Sequence, residues 1–139
     1  LSVRHPAIRR AVGWLERVQN EDGGWGEDLR SYRDAARWSA RGASTASQTA
    51  WALMALLAAG EKVSEIAGRR LAWLARTQRE DGSWDEPYFT GTGFPWDFSI
   101  NYHLYRQVFP LTALGRYVHG EPFGQQSAPH AAHTEAEGS

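Results

Sequence analysis

The chain has 139 residues, a formal net charge of −1, no cysteine and seven tryptophans. This length suits one domain that buries a hydrophobic core. The net charge is close to zero and therefore gives no electrostatic reason to expect nucleic-acid binding. Without cysteine there are no disulfides and no thiolate zinc sites. The longest apolar run, Ala50 to Ala59, is shorter than the roughly 20 residues that span a bilayer.

A seven-residue pattern occurs twice along the chain. Gln19-Asn-Glu-Asp-Gly23-Gly-Trp25 returns 59 positions later, from 19 to 78, as Gln78-Arg-Glu-Asp-Gly82-Ser-Trp84. Each copy follows a stretch that has the apolar spacing of an amphipathic helix. A shared end-of-helix signal at a fixed interval predicts a repeat protein built from helical hairpins.

The first half contains two predicted helices separated by a loop. Pro6 suits a first helical turn, and the apolar spacing continues from it to Gln19. The segment from Glu21 to Gly42 is polar and rich in glycine and charge, so we predict a long loop. Thr45-Ala-Ser-Gln48 is a capping-box pattern, and the helix that it opens is predicted to end at Gly60.

The second half is predicted to contain two further helices. One spans roughly Ser64 to Gln78, and a loop follows from Asp85 to Pro95. From about Asp97, which we expect to cap it, a final helix continues to Val118, with Pro110 either kinking it or starting a new one. Residues 120–139 lack periodicity and are predicted to be a disordered tail.

These elements form two helical hairpins with long loops, an all-α arrangement. Stacked repeats usually need three or more units to bury a continuous core. We therefore interpret the chain as a piece of a larger protein.

The last predicted helix has two opposed apolar faces of different chemical kinds. One face carries aromatic side chains, namely Phe98, Tyr102, Tyr105 and Phe109. The other carries aliphatic side chains, namely Ile100, Leu104, Val108 and Leu111. Such a helix is expected to be buried on both faces, the aliphatic one against neighbouring helices. The aromatic face is either core packing or the wall of a cavity for a large apolar ligand or a developing cation, and the pattern leaves both interpretations open.

The histidines and the loop aspartates are weaker candidates for metal binding or catalysis. The histidines lack the spacing of metal ligands, so no metal site is predicted. The four loop aspartates at helix ends, Asp22, Asp28, Asp81 and Asp85, are expected to cap helices and contact solvent rather than act as catalytic acids. We expect no cofactor.

The repeated Gln-x-x-x-Gly-x-Trp segments resemble the QW repeats of squalene–hopene cyclases, the bacterial triterpene cyclases. Five further segments are similar to the C-terminal portion of that family: Gly24-Trp-Gly-Glu-Asp28, Gly42-Ala-Ser-Thr45, Ser47-Gln-Thr-Ala-Trp-Ala-Leu-Met-Ala-Leu56, Asp85-Glu-Pro-Tyr88 and Gly91-Thr-Gly-Phe-Pro95. The resemblance extends from about Ala7 to Tyr117, and together its motifs are highly specific.

The resemblance implies that residues 1–119 are part of an (α/α) barrel, or toroid, around an apolar cavity. It implies structural roles for the repeat residues, with the glutamine amide bracing a neighbouring helix and stacking on the tryptophan. It assigns Phe94 and Phe98 as cation-stabilising rings. Ile100, Tyr102 and Tyr105 are implied to shape the cavity wall.

The implied activity is the cyclisation of squalene to hopene- or hopanol-type pentacycles without a metal or an organic cofactor. The family starts this reaction with an Asp-x-Asp-Asp motif, which does not occur here, so we expect the proton donor upstream of Leu1, no catalytic residue in this chain and no activity from the chain alone. The implied partners are squalene, the remainder of the parent cyclase, the cytoplasmic side of a membrane surface to which the parent binds peripherally, and a second copy in a homodimer.

Two alternatives remain open. A protein prenyltransferase β-subunit uses similar helical hairpins but needs zinc ligands, against which the lack of cysteine and of an Asp/His cluster argues. The second alternative is a non-catalytic helical toroid that serves as a binding or structural module.

Overall fold

The computed structural model describes residues 2–60, 66–93 and 98–119. The helices in these ranges are α1 (Pro6–Arg17), α2 (Ala35–Trp38), α3 (Ala46–Ala58), α4 (Ile66–Thr77) and α5 (Tyr105–His119), and the strands are β1 (Gly91–Gly93) and β2 (Phe98–Ile100). This part of the chain is mostly helical, as the all-α prediction expects, and one short antiparallel hairpin, which the prediction omits, is added to the helices. The predicted disordered tail lies outside the described residues, as does Ser64.

The central helix α3 begins and ends where its sequence signals predict. The Thr45 hydroxyl accepts a hydrogen bond from the Gln48 backbone N–H at 3.3 Å, which satisfies one of the free donors of the first turn. At the other end Gly60 adopts φ +73°, the left-handed conformation that favours glycine after a helix. The glycine prediction and the N-cap position of Thr45 are confirmed. The capping box is only half formed, because the Thr45 backbone N–H donates to the Trp25 carbonyl and the Gln48 side chain bonds to the Glu27 backbone instead.

The loop predicted between Glu21 and Gly42 contains two short helical segments, which corrects that prediction. A 3₁₀ turn spans Leu29–Tyr32, and α2 follows it. The aspartates before them, Asp28 and Asp34, each accept a hydrogen bond from a backbone N–H of the following turn. Capping by these side chains stabilises single turns that have no apolar periodicity to reveal them.

The last helix begins at Tyr105, not near Asp97, which lies outside the described residues. Phe98–Ile100 instead pairs with Gly91–Gly93 as an antiparallel hairpin. The Thr92 hydroxyl donates to the Phe98 carbonyl at 2.8 Å, and this pairing holds Phe98 in an extended backbone. The helix then continues through Pro110, so the proline does not start a new helix, although it removes one backbone hydrogen bond.

The core consists of two clusters on either side of α3. The first joins α3 to α4, α5 and the second repeat turn, through Ala46, Ala50, Leu53, Trp73, Leu74, Trp84 and Ala113. The second joins α3 to α1 and the first repeat turn, through Val12, Trp25, Ala52, Leu56 and Ala59. Packing therefore accounts for three of the seven tryptophans.

Candidate functional site

The two repeat turns have the same hydrogen bonds. The Gln19 side-chain amide donates to the Gly23 carbonyl at 2.8 Å, and that of Gln78 donates to the Gly82 carbonyl at 2.9 Å. Both glycines have positive φ, +89° at Gly23 and +81° at Gly82, which side chains with a Cβ rarely adopt. The glutamine thus closes its own turn, and glycine allows the turn to form.

Each signature tryptophan attaches its turn to the preceding helix. The indole N–H of Trp25 donates to the Leu15 carbonyl at 2.9 Å, and that of Trp84 donates to the Leu74 carbonyl at 2.9 Å. The backbone N–H of Trp25 also donates to the Thr49 hydroxyl at 3.0 Å. The tie to the neighbouring helix α3 thus comes from Trp25, whereas the resemblance assigned such bracing to the glutamine.

Asp22 of the first turn connects the two repeats. Its carboxylate accepts hydrogen bonds from the Gly24 N–H at 2.9 Å, the Ser44 hydroxyl at 2.7 Å and the Trp73 indole at 3.0 Å, and Arg76 donates to its backbone carbonyl. Partial burial raises the pKa of Asp22, but these hydrogen bonds and the Arg76 charge outweigh burial and lower the pKa below its ordinary value. Asp22 therefore does more than cap a helix.

Asp81, at the same position of the second turn, has local partners. It accepts hydrogen bonds from the N–H and hydroxyl of Ser83, and the pKa of Asp81 is lowered chiefly by these bonds. The hydrogen bonds within the turn are therefore similar in the two repeats, whereas of these two aspartates it is Asp22 that contacts the other repeat.

Four aromatic rings meet where α5 packs against α3. Tyr102 and Tyr105 stack with centroids 4.6 Å apart, and Phe109 lies edge-on to Tyr105 at 5.0 Å. Trp51 of α3 contacts Tyr105 at 5.8 Å and Phe109 at 5.2 Å, both edge-on. We call Trp51, Tyr102, Tyr105 and Phe109 the aromatic cluster. Sequence reasoning missed Trp51 because only the packing of α3 on α5 brings it to the stripe.

Phe98 lies apart from the aromatic cluster, so the prediction of one continuous stripe is wrong. It is on β2 with 56% of its surface exposed, in a cleft of about 230 Å³ that Arg30 and Arg33 also line. Its ring covers Gly93, where an added Cβ would lie 2.3 Å from the ring. Phe94 lies outside the described residues, and Ile100 is partly buried opposite Gly91 in the hairpin.

The aliphatic face of α5 is exposed, the reverse of the expectation that it packs against neighbouring helices. The exposed fractions are 73% at Leu104, 51% at Val108 and 59% at Leu111. The aromatic face turns to α3 instead, where Tyr105 and Phe109 meet Trp51 and Phe109 packs against the core cluster that contains Ala46 and Ala50.

A buried carboxylate holds the loop of the second repeat against α3. Glu86 is 3% exposed, and its carboxylate accepts hydrogen bonds from the Ser47 backbone N–H at 2.8 Å and hydroxyl at 2.7 Å. The positive end of the helix dipole at Ser47 stabilises the negative charge there. The Asn101 amide donates to the Glu86 carbonyl at 3.0 Å, so Glu86 fixes both ends of the segment that carries Phe98.

The described ranges lack two kinds of feature, a cluster of metal ligands and a membrane-spanning helix. Residues 2–60, 66–93 and 98–119 contain no group of three His, Cys, Asp or Glu side chains arranged to hold a metal ion. In the same ranges, none of the helices combines the length and apolar character needed to traverse a bilayer.

Several known proteins similar to this chain are named squalene–hopene cyclases. The family model of the squalene–hopene cyclase C-terminal domain matches residues 1–119. The chain is 55% identical over 118 residues to a squalene–hopene cyclase of Bradyrhizobium diazoefficiens, covering 83% of the chain and 18% of the relative. It is 63% identical over 92 residues to that of Alicyclobacillus acidocaldarius, covering 66% of the chain and 14% of the relative.

A squalene–hopene cyclase of Zymomonas mobilis is 52% identical over 114 residues, covering 81% of the chain. The chain spans less than a fifth of the length of these curated relatives, 14–18%. The match to the family model covers well over half of the chain, and the predicted resemblance is confirmed. The chain belongs to the squalene–hopene cyclase family, in which it corresponds to the C-terminal domain.

Proposed function

We propose that this chain supplies part of the cavity wall of a squalene–hopene cyclase, which converts squalene to hopene- or hopanol-type pentacycles through carbocations. The observation that supports this role is the aromatic cluster, in a chain whose relatives are named squalene–hopene cyclases. Trp51 of α3 meets Tyr105 and Phe109 of α5 edge-on. Tyr102, just before α5, stacks on Tyr105, so the four rings form one π-surface.

Such a surface suits a cation that exists only during the reaction. A ring that faces a desolvated cation contributes about 0.5–2 kcal/mol, and rings fixed in advance need no reorganisation as the charge forms. Stabilisation confined to the transition state raises the rate of the chemical step. Tyr102 and Tyr105 act in this wall, and Phe94 and Phe98 act as the cation-stabilising rings.

The chain contributes wall and scaffold and not the initiating acid. An Asp-x-Asp-Asp motif does not occur in the sequence, and the alkene is protonated by a carboxylic acid from another segment of the cyclase. The same proposal includes three properties of the whole cyclase: an (α/α) toroid to which this chain contributes, peripheral binding to the cytoplasmic side of a membrane, and a homodimer.

The test is a chimera in which this chain replaces the matching segment of the Bradyrhizobium relative. We expect the chimera to convert squalene to pentacyclic products, identified by mass spectrometry, and the isolated chain to give none. A folded chimera without conversion, beside an active parent, would favour a non-catalytic toroid module.

Phe98→Ala in this chimera tests the role of that ring. We expect unchanged folding and the release of truncated, partly cyclised products, because a late cation loses its stabilising ring. Val118→Ala, at a side chain that is 74% exposed, is the control and should leave the products unchanged. A wild-type product distribution from Phe98→Ala would remove Phe98 from the proposed wall.

A further inference from the structure

Three consecutive residues after the second repeat turn attach the chain to three different helices. The Trp84 indole N–H donates to a backbone carbonyl of α4. The Asp85 carboxylate lies 3.6 Å from the Arg106 guanidinium of α5. The Glu86 carboxylate accepts hydrogen bonds from the backbone N–H and the hydroxyl of Ser47, in the first turn of α3. The position of this segment is therefore set relative to α3, α4 and α5 together.

Glu86 is the buried one of the two carboxylates in this segment. It is 3% exposed and Ser47 is 0% exposed, whereas the side chain of Asp85 is 68% exposed. An exposed ion pair contributes little because water and salt screen it, whereas the loss of a donor to a buried carboxylate is costly. The two donors of Ser47 bind different oxygens of Glu86, so they fix the direction of its side chain as well as its position.

The chain that leaves Glu86 returns to it after the hairpin of β1 and β2. The Asn101 side-chain amide donates to the Glu86 backbone carbonyl at 3.0 Å, across 15 positions of sequence. β1 and β2 pair with each other between these two residues. Glu86 therefore holds both ends of the segment that contains the hairpin, and its side chain joins that segment to α3.

Two rings of the proposed cavity wall pack directly on β1. A Cβ added at Gly93 would lie 2.3 Å from the Phe98 ring, and a Cβ added at Gly91 would lie 3.1 Å from the Tyr102 ring. The rings approach this closely because glycine has no side chain. A movement of the hairpin would carry Phe98 with it and would separate Gly91 from Tyr102, which belongs to the aromatic cluster through its stack on Tyr105.

We propose that Glu86 is a positioning residue for the cavity wall. Its bonds to Ser47 fix the hairpin, and the hairpin sets where the rings of Phe98 and Tyr102 lie. Because Glu86 is buried, it acts through these rings and not on the substrate. The inference rests on the proposed function, since the rings matter for cyclisation only if they line the cavity. The placement of the rings can nevertheless be measured without any cyclisation.

The first measurement is an NMR spectrum of the 139-residue chain with labelled glycine. A glycine Hα proton near an aromatic ring has a chemical shift displaced by the ring current. The signals of Gly91 and Gly93 therefore report the positions of the Tyr102 and Phe98 rings. Glu86→Ala removes both bonds to α3, and we expect both signals to move towards the values of a glycine without a neighbouring ring.

Two milder variants keep the test decisive if Glu86→Ala does not fold. Ser47→Ala removes the hydroxyl donor and keeps the backbone N–H, and Glu86→Gln keeps the length of the side chain and one acceptor oxygen. Both should move the glycine signals in the same direction as Glu86→Ala, but less far. Asp22→Ala is the control, because it removes hydrogen bonds of the first repeat turn and should leave both signals unchanged.

The second measurement is the product distribution of the chimera with squalene. We expect Glu86→Ala to raise the share of truncated, partly cyclised products several-fold, in the same pattern as Phe98→Ala, because the same ring is displaced. Glu86→Gln should restore part of the parental distribution. Asp22→Ala should leave the distribution unchanged.

Unchanged Gly91 and Gly93 signals in the folded Glu86 and Ser47 variants would overturn the inference, whatever the products. Equal changes of these signals in Asp22→Ala would overturn it as well, since they would show a general loosening of the chain. Displaced rings together with a parental product distribution would leave Glu86 as the residue that positions the rings and would overturn the proposed function instead.

Discussion

Trp84→Ala tests whether the repeat tryptophan is a structural anchor. Trp84 is 1% exposed and lies in the cluster that joins α3, α4 and α5. Its indole N–H satisfies the Leu74 carbonyl at 2.9 Å. The substitution removes apolar contacts and also leaves a buried acceptor without its donor.

The expected loss in the free energy of unfolding is about 3–5 kcal/mol, the range for truncating a buried tryptophan. For a chain of this size each kcal/mol corresponds to roughly 3–5 °C, so the melting temperature should fall by about 10–20 °C. Trp84→Phe keeps most of the ring but not the N–H, and should cost about 1–3 kcal/mol through the unsatisfied Leu74 carbonyl.

The measurement is urea unfolding of the chain followed by circular dichroism. Trp14→Ala is the matched control, because it makes the same chemical change at a tryptophan that is 44% exposed. This substitution should lower the free energy of unfolding by about 1 kcal/mol. Equal losses for Trp84→Ala and Trp14→Ala would refute the argument from burial.

Four further predictions concern the repeat turns, the buried carboxylate of Glu86 and a glycine within α5. Asp22→Ala should lower the free energy of unfolding by about 1 kcal/mol at neutral pH, more than Asp81→Ala does; equal effects would contradict the link between repeats. Because the pKa of Asp22 is lowered on folding, its contribution is complete above the unfolded value of about 3.9 and is lost as the pH falls through the folded pKa, which urea titrations at several pH values measure. Glu86→Gln should cost about 1–2 kcal/mol through a weakened acceptor, and no change in melting temperature would argue against its role. Gly82→Ala should lower the free energy of unfolding by about 1–2 kcal/mol because φ at Gly82 is +81°. Gly115→Ala, with no atom within 4 Å of an added Cβ, should stabilise α5 by up to about 1 kcal/mol. A higher melting temperature for Gly82→Ala than for Gly115→Ala in calorimetry would contradict these expectations.

Local signals predicted the parts of the fold that local contacts determine. The repeat turn is closed by a hydrogen bond within its own seven residues, from the Gln19 side-chain amide to the Gly23 carbonyl. The N-cap of α3 is similarly local, since the Thr45 hydroxyl accepts from the Gln48 backbone N–H. Both could be predicted from sequence because these bonds need no distant partner.

The region from Phe98 to Leu104 could not be predicted in this way. Its aromatic spacing fits a helix, but Phe98–Ile100 is extended because it pairs with Gly91–Gly93. The Asn101 side-chain bond to the Glu86 carbonyl and a turn at His103 and Leu104 then delay the start of α5 to Tyr105. The direction in which α5 turns its aromatic face depends likewise on α3, a partner that periodicity within α5 does not reveal. Of the candidate site residues, Tyr102 and Tyr105 stack on each other, whereas Phe98 lies in a separate cleft.

Asp22 has a consequence for the way this chain unfolds. Its carboxylate is bonded to a side chain 51 residues away, the Trp73 indole, and thereby ties the first turn to α4. In a linear array of repeats, such contacts are the nearest-neighbour coupling that makes units melt together. The two hairpins also share the core cluster of α3, α4 and α5, so they should lose their slowly exchanging amide protons in one cooperative event. Without Asp22, the amide protons of the first turn and α1 should exchange faster than those of α3 and the second hairpin.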